Sequence, residues 1–497
     1  MLLGLGILGL WGCGDAAAAE VDINPQLTVA LTATDNLELE PPGDEQADLV
    51  LQVEPSIAAT YNTGRLAAEG RYGLRLVLPF VHPDESNVEQ NLLLRAEAEL
   101  LAERLFLQGD AGIDQRIEDD DDDAIRNDLS LTGDRVTVYT AGLRPRGEFA
   151  LGDVADATLE HESRVVFFDG GDTEDQFNNR FSAALVNDAV TDRWGLALTG
   201  GYRIDRRFGD EVDEGDGKVR TEAQVEGATN YRLRENFELL ARAGYLNENP
   251  FTDEDDVDVE NGGYASGGFA WGVWPDLTVG VLLGFNENEQ RLRYVPTSRL
   301  RLEVVRLERD VGTDPGVRWQ GELAFEGRRL TVAANYREEV TDSQTTVGAS
   351  VVDPEGGGDF FIPDSLGVTS EEFLERRLDL TVRYEWPKTT LDLRGGVEFR
   401  EFLDNSIDGD EERYSFQGLI SRRLGPQTTV SLEGAVLERR EDRGDDDSSW
   451  GLRLSLQRAF TPTWEGAVRY SHSVRNSDDP DDDFRENRLT LQTTLAF

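Results

Sequence analysis

The chain is poor in the residues that build compact active sites and metal centres. It has one cysteine, Cys13, in 497 residues, which excludes a disulfide framework, a zinc ribbon and a cysteine-ligated cluster. Its three histidines, His82, His161 and His472, are too scattered for a histidine-rich metal site. Lysine occurs only at Lys218 and Lys388. Positive charge is scarce overall: 98 acidic residues stand against 49 basic ones, a formal net charge of -49. That excludes a nucleic-acid binder acting through general basicity, because such binding needs cations against phosphate. Such an excess of acid with so little lysine also fits a salt-rich habitat, where screening relieves self-repulsion. Beyond residue 20 no apolar run reaches the length of a membrane-spanning helix, and mean hydropathy is −0.47. Low hydropathy leaves open a β-barrel, whose strands are apolar on one side only.

Residues 1–19 read as an export signal. Leu2 to Leu10 form a short apolar core and Ala16 to Ala19 offer small residues for cleavage. Leu10-Trp11-Gly12-Cys13 also resembles a lipobox in which Cys13 would be acylated; either processing means export. The usual basic residues of the first few positions are missing.

From residue 25 onward the pattern has a period of two. Leu378, Leu380, Val382, Tyr384 and Trp386 share one face, and Asp379, Thr381, Arg383 and Glu385 share the other. The stripe resumes after Pro387-Lys388-Thr389 with Leu391, Leu393, Val397 and Phe399 against Asp392, Arg394, Glu398 and Arg400. Side chains alternate across a strand, so each segment has one apolar and one polar face. Only Val368 to Arg376 suggests a helical turn. Short turns, as at Asn62-Thr63-Gly64, Trp274-Pro275-Asp276 and Thr461-Pro462-Thr463, alternate with longer acidic loops such as 35–48, 117–132, 249–260, 342–372 and 475–483. One rim of tight turns and one of long loops is the pattern of a transmembrane antiparallel up-and-down β-barrel. Residues 20–497 are therefore expected to form an outer-membrane barrel of about 22 strands, within 20–24, with 289–315 as an extended outer loop in which Leu300 to Glu308 can make a local β excursion above the membrane.

Trp194, Trp274, Trp386 and Trp464 lie beside the short turns and predict an aromatic girdle at the periplasmic interface. The last strand carries Leu489, Leu491, Leu495 and Phe497 on one face, a C-terminal pattern resembling the signal read by the barrel-assembly machinery. The inferred lumen face mixes signs: Glu69, Arg71 and Arg75; Asp379, Arg383 and Glu385; Glu465 and Arg469. Such ladders suit a polar pore or cross-strand pairing equally.

Site chemistry is sparse. Asp119, Asp120, Asp121, Asp122 and Asp123, preceded by Glu118, are candidate ligands for divalent cations and for bridging to lipopolysaccharide phosphates. Without the D-x-D-x-D-G spacing they read equally as a solvated loop. His161-Glu162-Ser163 has the letters of a hydrolase, but adjacent residues on a strand point to opposite faces. No G-x-S-x-G motif is present. The expectation is a monomeric, non-enzymatic barrel with no cofactor and no nucleic-acid partner.

The wording at Ile23-Asn24-Pro25-Gln26-Leu27, Thr34-Asp35-Asn36 and Gly367-Val368-Thr369-Ser370-Glu371-Glu372-Phe373-Leu374-Glu375-Arg376-Arg377 resembles the outer-membrane family associated with the PEP-CTERM/exosortase system. Elsewhere the likeness is one of layout, and the 290–315 segment and the acidity depart from it. The resemblance supplies no catalytic residue. It implies a conduit or docking barrel in exopolysaccharide export, with polysaccharide and envelope export proteins as partners; the barrel itself implies contact with outer-membrane lipid and lipopolysaccharide. A general or saccharide porin, and a structural barrel whose acidic loops contact cations, are the rival readings.

Overall fold

The computed structural model describes residues 19–117, 135–152, 154–169, 175–191, 193–208, 219–249, 259–313, 315–341, 373–403, 410–441 and 446–497. Residues 1–18 of the expected export signal 1–19, Cys13 among them, and Asp119 to Asp123 lie outside the described residues. Twenty-six β elements run from β1 (Glu20–Thr34) to β26 (Phe484–Ala496). Twenty-four form one antiparallel sheet that closes on itself through β1 and β26. The remaining two, β12 (Val259–Glu260) and β17 (Gly312–Thr313), pair as a small ribbon. A 3-10 turn at Pro83–Glu85 is the only helical element among the described residues.

Closure removes the unpaired strand edges that an open sheet would leave. The seam pairs Gln26 with Ala496 through to Thr34 with Arg488. On its inner side it carries a hydroxyl ladder: Thr28 to Thr494 at 3.1 Å, Thr32 to Thr490 at 3.0 Å, and Thr34 donating to Glu486 at 2.6 Å. The backbone N–H of Phe497 donates to the Pro25 carbonyl at 3.0 Å.

The faces follow the period-two reading. On β24 (Asp447–Thr461) Trp450, Leu452, Leu454, Leu456 and Phe460 are exposed on the outside, while Asp447, Ser449 and Arg453 are buried inside. Trp450 and Phe460 are ten residues apart, roughly 23 Å for a strand rising ~3.3 Å per residue at ~45° tilt. That matches an apolar band about 25 Å tall between two aromatic levels. An oily exterior around a polar interior is the outer-membrane solution to satisfying every backbone group in lipid.

The structure corrects two expectations. The 289–315 segment is a wall hairpin: β15 (Glu287–Thr297) pairs with β14 (Leu277–Phe285), and β16 (Leu300–Arg309) pairs with β18 (Gly316–Glu326). It was obscured because β15 presents only Leu292 and Tyr294 as large apolar residues to the outside, and because β14 turns into β15 at Asn286 on the long-loop rim. Asn286 sits at φ 55° and donates through its amide to the Gly263 carbonyl at 3.0 Å. Two strands replace one loop, so evenness is kept and the count becomes 24. The second correction concerns Val368 to Arg376. Its Phe373–Arg376 part opens strand β20 (Phe373–Glu385), and the rest lies outside the described residues.

The first long loop folds inward. Leu37 is buried with Val50 and Val77 of the inner wall, and Leu39 with Phe484. The loop is anchored where the Asp48 carboxylate accepts the backbone N–H groups of Phe80, Val81 and His82 at 3.0–3.2 Å.

Candidate functional site

The inner wall is the candidate site, built by glutamate and arginine two residues apart near the long-loop ends of successive strands. Residues i and i+2 share a face, so Glu375-x-Arg377, Glu398-x-Arg400 and Glu411-x-Arg413 all project inward. Register then sets the signs against each other. Arg377 lies opposite Glu398, Glu375 opposite Arg400 and Arg400 opposite Glu411.

The result is a continuous belt from β19 (Leu330–Thr341) to β23 (Thr428–Glu441). Arg337 Nη2 meets Glu375 Oε2 at 3.0 Å, and Arg377 reaches Glu398 at 3.5 Å. Arg400 Nε meets Glu398 at 2.8 Å and its Nη1 meets Glu411 at 3.5 Å. Arg439 closes the run on Glu411 at 2.8 Å and on Glu441. Arg337 and Arg377 are direct register partners, a like-charge contact that Arg337 avoids by reaching diagonally to Glu375. Further along the wall Arg453 pairs with Glu433 at 3.1 Å and Arg475 with Asp447 at 2.9 Å. The Arg400 side chain is only 2% exposed. Burial at that level is tolerable only because each charge is paired.

The stretch of wall that adjoins the belt through β18 carries a looser cluster. Arg242 lies 3.4 Å from Glu287 and 2.9 Å from Glu289, and Arg309 also pairs with Glu287, at 2.6 Å. Arg291, between Glu289 at 3.2 Å and Glu303 at 3.8 Å, is 49% exposed. Deeper in the barrel than the belt, Glu69, Arg95, Asp110, Arg144 and Arg164 line a polar cleft of about 660 Å³. There Arg144 pairs with Glu162 at 2.8 Å and Arg164 with Asp110 at 3.2 Å.

Each lumen residue named from the sequence belongs to this wall. Arg75 pairs with Glu89 at 3.2 Å, Arg383 with Glu385 at 3.0 Å, and Arg469 donates to Gln492 at 2.5 Å. Glu398 and Arg400, read from the sequence as the polar face of their strand, belong to the belt; Glu411 and Arg439 were missed, although the recurring Glu-x-Arg spacing at strand ends is a legible signal.

Trp194, Trp274, Trp386 and Trp464 are exposed beside short turns on one rim. The Trp194 and Trp464 indole N–H groups donate to Thr229 and Thr493 at 2.6 and 2.8 Å. The sequence reading did not foresee aromatics at the other rim, where Trp319, Trp450, Phe167 and Phe208 are exposed. Leu489, Leu491 and Phe497 are exposed on the outer face of β26, with Leu495 half-buried on the same side. Of the other acidic runs, Asp447 pairs with Arg475, and Asp483 accepts the Ser477 N–H at 2.7 Å. No group of three or more metal-ligating side chains occurs among the described residues.

His161 and Ser163 are brought together. They share the outer face of β7 (Asp156–Asp169), with His161 Nε2 2.9 Å from Ser163 Oγ. Ser163 Oγ is also 2.7 Å from Asn179 Oδ1 on the neighbouring strand. Glu162 points the other way, into the lumen ladder.

No family model matches the chain, and no curated protein does. Among solved structures it is similar to the siderophore receptor PirA from Acinetobacter baumannii (TM-score 0.48, 8% identity, covering 96% of this chain and 80% of that one). It is similar also to the ferric citrate transporter FecA in its unliganded form (0.49, 9%, 96% and 79%). The FrpB iron transporter from Neisseria meningitidis gives 0.45, 8%, 96% and 83%.

Proposed function

We propose that this outer-membrane barrel is a passive conduit for uncharged, hydroxyl-rich molecules, and that its cargo is exopolysaccharide on its way out of the cell. The observation carrying the reading is the self-neutralised inner wall. From Arg337 to Glu441 five arginines, Arg413 opposite Glu398 among them, are interleaved with five glutamates, Glu339 beside Arg337 among them. A wall that cancels its own charge gives neither cations nor anions a field to follow, yet presents hydrogen-bonding groups along its length. That suits saccharide hydroxyls better than a charged solute. The wording shared with the exosortase-associated family supports export rather than uptake. In this reading the short-turn rim faces the periplasm, and the polysaccharide and envelope export machinery are the partners.

The test is a pair of measurements. Vesicles containing the purified barrel should swell in isotonic oligosaccharide, and deletion of the gene should abolish surface polysaccharide while leaving small-solute uptake intact. Swelling with unchanged surface polysaccharide would favour a porin. Absence of both effects would leave the structural barrel, a reading favoured by the completeness of the ion pairing.

A further inference from the structure

The outer wall carries a cluster that the conduit does not use. His161, Ser163 and Asn179 face the surroundings of the barrel, on the side that carries Leu159, Phe167 and Phe181, all exposed. Register places His161 opposite Phe181, Ser163 opposite Asn179, and Leu143 opposite Ser163 from the other neighbour. The three polar residues therefore sit within an apolar stripe. Ser163 is seven residues above the β7 end nearest the short turns, roughly 16 Å at ~3.3 Å per residue and ~45° tilt. It lies four residues below Phe167, whose ring packs edge-on to Phe208 at 6.2 Å. That is the half of the apolar band nearer the long loops, beneath the aromatic level. Polar and ionisable side chains facing hydrocarbon are costly, and their presence there marks function.

We propose that Ser163, His161 and Asn179 form a lipid-facing acyl-ester hydrolase site, whose substrate is an acyl ester of a membrane lipid approaching from within the bilayer. Ser163 is the nucleophile and His161 the general base, at the 2.9 Å separation that proton transfer requires. With Asn179 Oδ1 as acceptor, the Ser163 hydroxyl donates to it and accepts from His161 Nε2–H. A half-turn of the amide puts its N–H donors on Ser163 and frees the hydroxyl proton for Nε2.

In the first step Ser163 Oγ bonds to the ester carbonyl carbon, its proton passes to His161 Nε2, and the carbonyl π electrons move onto oxygen. Collapse breaks the bond to the lipid alkoxy oxygen, which leaves with the proton from His161 as a lysolipid. Water, deprotonated by His161, then attacks the acyl-serine; a free fatty acid leaves and Ser163 recovers its proton. The Asn179 amide stands beside the oxyanion as it forms. The site is separate from the lumen, so it stands or falls independently of the conduit.

The full chain is refolded in detergent and reconstituted into vesicles of phosphatidylethanolamine or, separately, lipopolysaccharide. Folding of each sample is verified by heat-shifted gel mobility. Fatty acid should be released from at least one lipid; release from only one identifies the source of the ester. A long-chain alkylsulfonyl fluoride should label the peptide carrying Ser163. Ser163→Ala and His161→Ala should lose activity by about a thousandfold or more, and Asn179→Ala by about a hundredfold with labelling retained. His472→Ala, a histidine elsewhere on the outer face, should leave the rate unchanged. A folded wild-type barrel that releases nothing from either lipid and takes no label overturns the proposal, as does a folded Ser163→Ala variant with wild-type release.

Discussion

The two walls of the barrel solve the problem of inward charge differently. From β19 to β23 the strands are 12–14 residues long, and arginines such as Arg400 and Arg439 are almost fully buried between carboxylates. From β14 to β18 the barrel strands shorten to 9–11 residues, and arginines such as Arg291 stay half in water. Sealing a charge requires neighbours above and below it, and shorter strands offer fewer. The wall with long strands is thus held by ion pairs that cannot be broken cheaply. The wall with short strands relies on close backbone approach instead. At Gly284 of β14, and at Gly268 of the strand Gly262–Trp274 that pairs with β14, an added Cβ would lie 1.8 and 1.7 Å from the backbone carbonyl oxygens of Ala265 and Val281.

The contrast is open to direct attack. Arg400→Ala leaves Glu398 and Glu411 buried without their shared cation and should cost about 3–5 kcal/mol, measured by urea unfolding in lipid vesicles. Arg291→Ala, on the wetter wall, should cost less than about 1 kcal/mol. Equal losses would erase the distinction between the walls. On the outer face, Leu380→Arg should cost about 2–4 kcal/mol near the midplane, whereas Thr381→Arg, one residue along and inward, should fold nearly as well as the parent. For the glycines, Gly268→Ala should destabilise by about 1–3 kcal/mol through overpacking. Gly434→Ala, whose Cβ would lie 3.7 Å from its nearest neighbour, a Leu452 methyl carbon, should be nearly neutral. The smallest effect is expected at the exposed pair Arg301 and Glu322, 2.6 Å apart, where a double-mutant cycle should give about 0.2–1 kcal/mol.

The same division explains what the sequence revealed. Where strands are long and one face is uniformly apolar, as at Leu378 to Trp386, alternation alone assigns the wall and its faces. The segregation of short turns from long loops then supplies the closed barrel. In β15 and β16 the signal fails for physical reasons. Gln290 on the outer face interrupts the stripe, Val305 and Leu307 share the inward face of β16 with Arg301 and Glu303, and a single residue, Asn286, turns β14 into β15 just before the expected 289–315 loop. The belt was legible in part, because Glu-x-Arg repeats in the text, but which strands face each other depends on register that no single strand encodes. His161 and Ser163 were visible as letters. Their approach needed the rule that alternate residues share a face, and Asn179 needed the pairing of β7 with β8 (Asp175–Thr191).

The central claim is a closed wall of 24 strands, oily outside and wet within, that includes the segment from Glu287 to Thr297. Single cysteines placed along that segment in a Cys13→Ser background test it most directly, using a water-soluble maleimide and a lipid-soluble one on the barrel in vesicles. Positions 289, 291 and 293 should react from water and positions 290, 292 and 294 from lipid, in strict alternation. Uniform reaction with the water-soluble reagent along the whole segment would make it a loop, and the 24-strand wall would be wrong.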